Sequence, residues 1–516
     1  MLNRRDALDL ALTVWNDARR VEMPRLERID AALKPPPMLK HGETAKAAYG
    51  AKGFRRPNVV IPDDAPDLMW ELARKSETNY LPLLVRTFRQ ALRVDGYLTT
   101  VAEEQNPWRW WQANRMDGRQ VGIVDSTLKY GAAYSRVVPG DMPDGTTGPV
   151  SRGFTPRTMT AIYADPEVDE WPIASVHIDG PNGEHLVLTD EEAEYRFALM
   201  ATGATGWRNS FAALSDTPVI SLGSRSLGFV EARPHGADMG VTPVVRYRDT
   251  LLLDGEETFG IVEPVLVIQE RIDETGFGQL VAQYFAAFKQ RAVLGWVPES
   301  EAEEMKASAA RAWYLDVDPN SVAIHEFAET DLTRYIDSGK SARRDFASIS
   351  QIPAQSLGVD ALSNISDATL AGLDKSKNER SGEIALALGE AYEQLLRTYA
   401  WVAGDMDAAR DYESEIRWAQ REARTWAGQV DGLVKLVQAR IMSEDTALGM
   451  VPGLTDQQVE AARADARKVR AAVTAQAAQI ARQAEAAAAA KQQQAEQPPA
   501  EQTPGDGAQG ADSSQR

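Results

Sequence analysis

Histidine is the residue type best suited to metal binding, and this chain has five: His41, His177, His185, His235 and His325. His177 and His185 flank a predicted turn and form the best pair, yet no two histidines stand at metal-ligand spacing on one element. We therefore expect ordinary surface or core histidines and no metal site. The chain contains no cysteine, which excludes disulfides and cysteine nucleophiles and fits assembly in a reducing cytoplasm.

Nucleotide-binding and acyl-transfer motifs are the next candidates. Gly339–Lys340–Ser341 is similar to the end of a phosphate-binding loop, but that loop needs a preceding strand and a glycine five positions earlier, where Arg334 stands. No G-x-S-x-G nucleophile turn occurs. Because the chain has 75 acidic residues, pairs of carboxylates arise by chance and do not indicate acid–base catalysis. We expect neither an enzyme nor a cofactor.

Tryptophans and arginines alternate in one short segment: Trp108, Arg109, Trp110, Trp111, Arg115 and Arg119. Such a mixture can bind single-stranded nucleic acid by stacking. Steps of three or four residues link Trp110, Asn114, Asp117, Val121 and Val124, and they instead favour a helix that packs its aromatic face. We expect core packing here.

The elements that position these residues come from a chain of 516 residues, long enough for roughly three domains. The net charge is −19 and no dense Lys/Arg block is present, which argues against a tight or sequence-reading DNA binder. An acidic surface fits solubility, or a conduit that does not hold the DNA passing through it. Acidic residues interrupt the N-terminal apolar stretch, so we expect no signal peptide, and no apolar run is long enough for a transmembrane helix.

Hydrophobic spacing predicts helices over 1–33, 67–95 and about 106–130. Between 131 and 260, alternating apolar residues separated by Gly, Pro and Asp turns predict strands: Ala133–Val138, Thr158–Tyr163, Ile173–Ile178, His185–Leu188 and Val244–Tyr247. We expect a helix-rich α+β protein with two small sheets in this region.

From about residue 261 the predicted order is helix, short mixed insert, helix, loop and long helix. Gly276 and Gly278 interrupt the first helix at about 1 kcal/mol each, so that helix needs packing from outside. Pro353 ends the second helix, and Ser366 is placed to cap the third. The order fits an ordinary helical bundle. It also fits a hairpin of two helices with a distal knob, whose copies would line a channel in a ring.

The second of these helices carries charges of both signs. Opposite charges at this spacing can pair within the helix or with a neighbouring subunit, or form a solvated face. The charged residues are Asp331, Arg334, Asp337, Lys340, Arg343, Arg344 and Asp345.

Four segments resemble tailed-bacteriophage portal proteins, particularly those of siphoviruses that infect actinobacteria. They are residues 108–140, 263–296, 327–358 and 410–460. The first, beginning WRWWQANRMDGRQ, is similar to the family's W-Q-x-N-R-x-D helix and the strand that follows it. The next two are similar to the family's two stem helices, and the last to its C-terminal helical region.

The resemblance implies a portal architecture with an α+β wing, a two-helix stem, a small α/β clip, a long wing helix and an α-helical crown. The implied boundaries are wing 1–260, stem helix 1 261–292, clip 293–328, stem helix 2 329–351, tunnel loop 352–365, long wing helix 366–404, crown 405–495 and disordered tail 496–516.

The resemblance also implies roles for individual residues in three groups. The tunnel loop, the element nearest the DNA, offers Gln355, Ser356, Leu357, Asp360, Ser363 and Asn364. The stem charges are Lys340, Arg343 and Arg344. Packing of the stem and between subunits is assigned to Ile272, Leu280, Tyr284, Phe285 and Phe288.

A member of this family would form a homo-oligomeric ring, a dodecamer, at the unique capsid vertex of the virion. Double-stranded DNA would pass through it irrespective of sequence. The implied partners are the terminase large subunit, the major capsid and scaffolding proteins and the head–tail adaptor, with assembly in the host cytoplasm and no membrane or cofactor. Two alternatives remain open: another structural virion or head-assembly scaffold protein, and an enzyme with an unrecognised site.

Overall fold

The structure is a computed structural model. It describes residues 1–50, 57–142, 145–180, 184–201, 219–222, 225–251, 253, 259–286, 291–294, 312–315, 332–359, 372–419, 426–451, 454 and 456–495. The chain divides into two compact units, Met1–Ala423 and Arg424–Arg516. Within the described ranges no helix is both long enough and apolar enough to span a bilayer.

The first unit begins with two helices joined by a π-helical turn. Asn3 caps α1 (Arg4–Thr13) by accepting hydrogen bonds from two backbone N–H groups. The turn covers Val14–Arg19, and α2 (Arg20–Leu33) ends just before the three consecutive prolines. The predicted helix over 1–33 is therefore confirmed.

The single helix predicted over 67–95 is wrong, because this segment forms two helices and a strand. They are α4 (Asp67–Ser76), α5 (Leu81–Ala91) and β1 (Val94–Leu98), and the short helix α3 (Ala45–Gly50) precedes them. Asn79 Oδ1 accepts a hydrogen bond of 3.1 Å from the Leu81 N–H and so starts α5. The strand β1 pairs with Glu415–Trp418, a partner more than 300 residues away, which local periodicity cannot indicate.

The tryptophan segment forms α6 (Trp108–Ala113) and α7 (Met116–Tyr130). Between them Arg115 adopts a left-handed conformation with φ 54°. This break rotates α7 relative to α6, so the two helices do not share one continuous buried face. Trp111 is fully buried while Val121 is 45% exposed.

Nine described strands between residues 132 and 248 form two antiparallel sheets. They are β2 (Ala132–Asp141), β3 (Thr147–Phe154), β4 (Met159–Ile162), β5 (Ala174–Asp179), β6 (His185–Thr189), β7 (Ala193–Ala201), β8 (Val219–Leu222), β9 (Arg225–Pro234) and β10 (Val244–Arg248). The strand orders are β10-β2-β3 and β4-β5-β6-β7-β9-β8. The five predicted strands and the two sheets are confirmed. The four strands β3, β7, β8 and β9 were not predicted. In β3, Gly148 and Pro149 are typical turn residues and hide the strand.

The six-stranded sheet is apolar on one face and carries both charged and apolar side chains on the other. Its apolar face, which includes Tyr195 and Phe197, packs against Leu8 of α1. On the other face the buried Glu194 pairs with Arg136 of β2. Next to this ion pair, Tyr134 and Phe154 of the three-stranded sheet pack against Met159 of β4 in a buried apolar cluster. The two sheets therefore meet through both an ion pair and apolar side chains, and α1 covers the opposite side.

Three long helices and several short elements follow the sheets in the described residues. The described elements are α8 (Leu266–Ala286), β11 (Arg291–Leu294), β12 (Ala312–Leu315), α9 (Thr333–Ser350), α10 (Lys375–Ala403), α11 (Met406–Ala409) and β13 (Glu415–Trp418). β11 and β12 pair in parallel. The cap predicted at Ser366 lies outside the described residues.

The helix α10 contributes buried residues along its length to the main hydrophobic core of the described residues. Its Tyr392 is fully buried, with its ring centroid 5.4 Å from that of Trp111 and 5.1 Å from that of Tyr247. Tyr399, two turns further on, is also fully buried and donates a hydrogen bond of 2.6 Å from its hydroxyl to Ser151 Oγ of β3. The helix thus joins the tryptophan segment to the three-stranded sheet.

The second unit is helical in its described residues. It contains α12 (Trp426–Gln438), α13 (Glu444–Gly449) and α14 (Asp456–Ala495). Ser443 caps α13 by accepting a hydrogen bond of 3.1 Å from the Thr446 N–H.

Candidate channel-forming elements

The helices α8 and α9 form a closely packed pair. Ile272 of α8 and Ala342 and Phe346 of α9 are buried in the main core. A Cβ atom at Gly278 would lie 3.3 Å from the Tyr335 ring, and one at Gly276 would lie 3.2 Å from the Ser76 carbonyl oxygen. The two glycines that lower the helix propensity of α8 therefore allow close contact, with α9 on one side and α4 on the other.

A buried polar network fixes α8 to the break between α4 and α5. Gln269 and Asp273, one turn apart on α8, are both buried. Gln269 accepts from the Tyr80 N–H at 3.0 Å and donates to the Thr78 carbonyl at 2.9 Å. Asp273 accepts from the Thr78 N–H at 2.9 Å and also from the Asn58 amide at 2.5 Å. These side chains take the place of the helical hydrogen bonds lost at the break.

The predicted packing residues of the pair are buried to different degrees. Ile272 is buried, whereas Leu280 and Tyr284 are half-buried. Phe285 is the last residue but one of α8, but its side chain and the whole of Phe288 lie outside the described part of the chain.

The predicted charges lie on the outer side of α9 or at its edge. Lys340 pairs with Asp337 at 3.6 Å, and both are exposed. Arg343 is half-buried and donates from Nε to the Gly339 carbonyl at 3.2 Å, whereas Arg344 is exposed. Between the two helices, Arg271 forms an ion pair with Asp345.

The loop after α9 is described as far as Val359. Gln351 ends α9 in a left-handed conformation with φ 58°, and Pro353 precedes a 3-10 turn over Ala354–Leu357. Leu357 and Val359 are each 2% exposed and belong to the main core.

Of the other loop residues, Ser356 is exposed and Gln355 is half-buried. The buried Gln355 Oε1 meets no hydrogen-bond donor in the described residues. Asp360, Ser363 and Asn364 lie outside those residues.

The tryptophans belong to the core, as the sequence predicted. Trp108 stacks on Trp111 with a centroid distance of 5.0 Å, and Trp111 donates from Nε1 to Asp117 at 2.9 Å. Arg109 lies 4.8 Å from the Trp110 ring. The aromatic surface is therefore used for packing and is not presented as a stacking platform.

The histidine pair does not come together as a ligand set. His177 lies opposite Val187, while His185 lies opposite Asp179. Burial, with a smaller contribution from Arg136, lowers the pKa of His177 to about 3, so its imidazole is neutral at pH 7. In the described ranges no three His, Asp or Glu residues are grouped so that they could hold a metal ion.

Three comparisons place the chain among known proteins. The family model described as "Phage portal protein, SPP1 Gp6-like" matches residues 69–489. The portal protein of Mycobacterium phage L5 is 21% identical over 403 residues, which are 74% of this chain and 76% of that protein.

Among solved structures, a chain from "Neck of native GTA particle computed with C12 symmetry" is 12% identical with a TM-score of 0.39, covering 77% of this chain and 96% of that chain. A chain from "Virion of native gene transfer agent (GTA) particle" is 14% identical with a TM-score of 0.36, covering 79% and 98%. Since the family model spans residues 69–489, most of the sequence, this chain belongs to the SPP1 Gp6-like family of phage portal proteins.

Proposed function

We propose that this chain is the portal subunit of a tailed-phage particle. Copies of it form a closed ring, a dodecamer, at one capsid vertex, and double-stranded DNA passes through the hole during packaging and ejection. The observation that carries the proposal is the family match over residues 69–489. The relative in phage L5, itself a portal protein, supports it.

In this proposal α8 and α9 are the stem helices, β11 and β12 belong to the clip, and α10 is the long wing helix. The tunnel loop begins at residue 352, and the second unit belongs to the crown. Since Leu357 is buried in the core, its side chain anchors the loop. Contact with DNA then falls to Gln355, Ser356 and residues 360–365.

The net charge suits a conduit that does not retain DNA. A subunit with a net charge of −19 repels phosphates on balance. Retention on DNA needs several lysines or arginines that neutralise phosphates together. The chain then supplies the passage, and the terminase large subunit, docked at the clip, supplies ATP hydrolysis. The head–tail adaptor takes the same position after packaging.

Negative-stain electron microscopy of the purified full-length chain tests the proposal. We expect closed rings with a central hole, and a native mass that is a whole multiple of the subunit mass. Monomers alone, or open filaments, at high protein concentration would contradict the proposal and would favour a scaffold role.

A further inference from the structure

A ring built by rotation needs two different surfaces on each subunit, because one side of a subunit meets the opposite side of the next. In the proposed ring, on which this inference rests, the described residues of α8 and α9 supply a complementary pair of surfaces.

One side of α8 presents two acidic residues, Glu270 and Glu274, between two valines. Val267, Glu270, Glu274 and Val281 lie on one helix face at steps of three, four and seven residues. Val267 is 68% exposed, the Glu270 side chain is 43% exposed and Glu274 is exposed. Glu270 makes an exposed contact of 3.3 Å with Arg28, and such pairs are weak in water.

The exposed side of α9 carries two basic residues and one acidic residue. Lys340 and Arg344 are one turn apart and both are exposed. The nearby Asp337 is 67% exposed and lies 3.6 Å from Lys340, a long contact that an incoming carboxylate can replace. The two helices of one subunit thus present opposite charges on their outer sides.

The contacts between α8 and α9 fix how the two helices are aligned along their axes, that is, which residues lie at the same height. Gly278 meets Tyr335, Thr275 meets Gly339, and Arg271 pairs with Asp345. The helices therefore run antiparallel, and this alignment puts Glu274 level with Lys340 and Glu270 level with Arg344.

We propose that in the ring Glu274 and Glu270 of one subunit pair with Lys340 and Arg344 of the next. A rotation about an axis along the helix pair leaves the height of every residue unchanged. The two acidic residues of one subunit then stand level with the two basic residues of its neighbour, so two ion pairs form at each interface.

Charge reversal in the full chain tests the pairing. Glu274→Lys and Lys340→Glu each place like charges together, and we expect each to raise the subunit concentration at half-assembly about tenfold. The double variant Glu274→Lys with Lys340→Glu restores opposite charges and should assemble within about twofold of the natural chain. Thermal unfolding of the subunit should be unchanged, because both residues are exposed.

The matched control reverses an exposed pair on α14, Asp465 and Lys468, which lie 3.0 Å apart. Asp465→Lys and Lys468→Glu change the net charge by the same amounts and should leave assembly unaltered. If the Glu274 and Lys340 single variants behave like these controls, or the double variant is as defective as the singles, the pairing is wrong while the ring itself stands. If the natural chain forms no ring, the pairing and the proposed function both fail.

Cross-linking gives a direct second measurement. A carbodiimide joins a carboxylate to an amine only when the two groups touch. In rings mixed from ¹⁴N and ¹⁵N subunits, we expect a cross-linked peptide pair that contains Glu274 and Lys340 with mixed isotope labels. Glu274 links found only within one chain would overturn the proposal.

Discussion

Asp249 is a buried carboxyl at the end of β10. Only 4% of the residue is exposed, and burial raises the pKa of its carboxyl to about 6, with Arg380 opposing the shift. Because the folded pKa lies above the unfolded value of 3.8, the folded state binds the proton more tightly. The free energy of unfolding therefore falls as the pH rises from about 4 to about 6.

Replacing Asp249 by Asn removes the ionisable group and keeps an oxygen acceptor. We expect Asp249→Asn to raise the free energy of unfolding by roughly 1–3 kcal/mol at pH 7.5, relative to the natural chain. The difference should shrink towards zero near pH 4, where the natural Asp249 is protonated. Chemical denaturation at several pH values measures it, and a difference that is independent of pH would contradict the assignment.

Asp273 holds the break between α4 and α5 through its contacts with Thr78 and Asn58. Asp273→Ala removes the buried carboxylate that accepts these hydrogen bonds, and we expect the free energy of unfolding to drop by about 2–3 kcal/mol. Glu379→Ala, at an exposed position of α10, is the control and should change it by less than about 0.5 kcal/mol. Equal losses in the two variants would mean that the network contributes nothing.

The sequence predicted elements well where local spacing determines them. The helix over 1–33, the end of α9 before Pro353 and five of the strands follow from periodicity, proline and turn residues. Prediction from the sequence failed where contacts with a distant segment determine the local structure. The break at residues 77–80 depends on side chains of α8, and β1 depends on a partner at 415–418.

The sequence predicted which elements form the candidate site better than it predicted the roles of individual side chains. Ile272 was expected to pack and is buried. The role of Leu357 as an anchor was missed, although an apolar residue between Pro353 and Gly358 is a signal for a buried turn. Gln269 and Asp273 were missed because a polar pair one turn apart on a helix usually marks a solvated face.

The loop after Val359 can be tested separately from its anchor. Deleting residues 360–364 spares the buried Leu357 and Val359, so we expect rings to form normally. Packaging, or retention of packaged DNA, should fall severalfold, because the element proposed to lie nearest the duplex is gone. DNA content of particles assembled with the variant measures this, and normal content would remove the loop from the proposed DNA path.

At the scale of the whole molecule, two properties have to act together. A ring requires complementary sides on every subunit, and a DNA passage requires a wall that does not bind phosphates. Separate surfaces of α8 and α9 can serve both purposes, because their outer sides can meet neighbouring subunits while another part of the pair faces the hole.

Locating α8 and α9 in the assembled ring tests the proposed portal function most directly. Cryo-electron microscopy of the full-length chain, at a resolution that shows side chains, measures it. We expect both helices to surround a central hole wide enough for a DNA duplex, with the segment between them projecting at one end. A ring in which α8 and α9 lie on the outer circumference, away from the hole, would contradict the account.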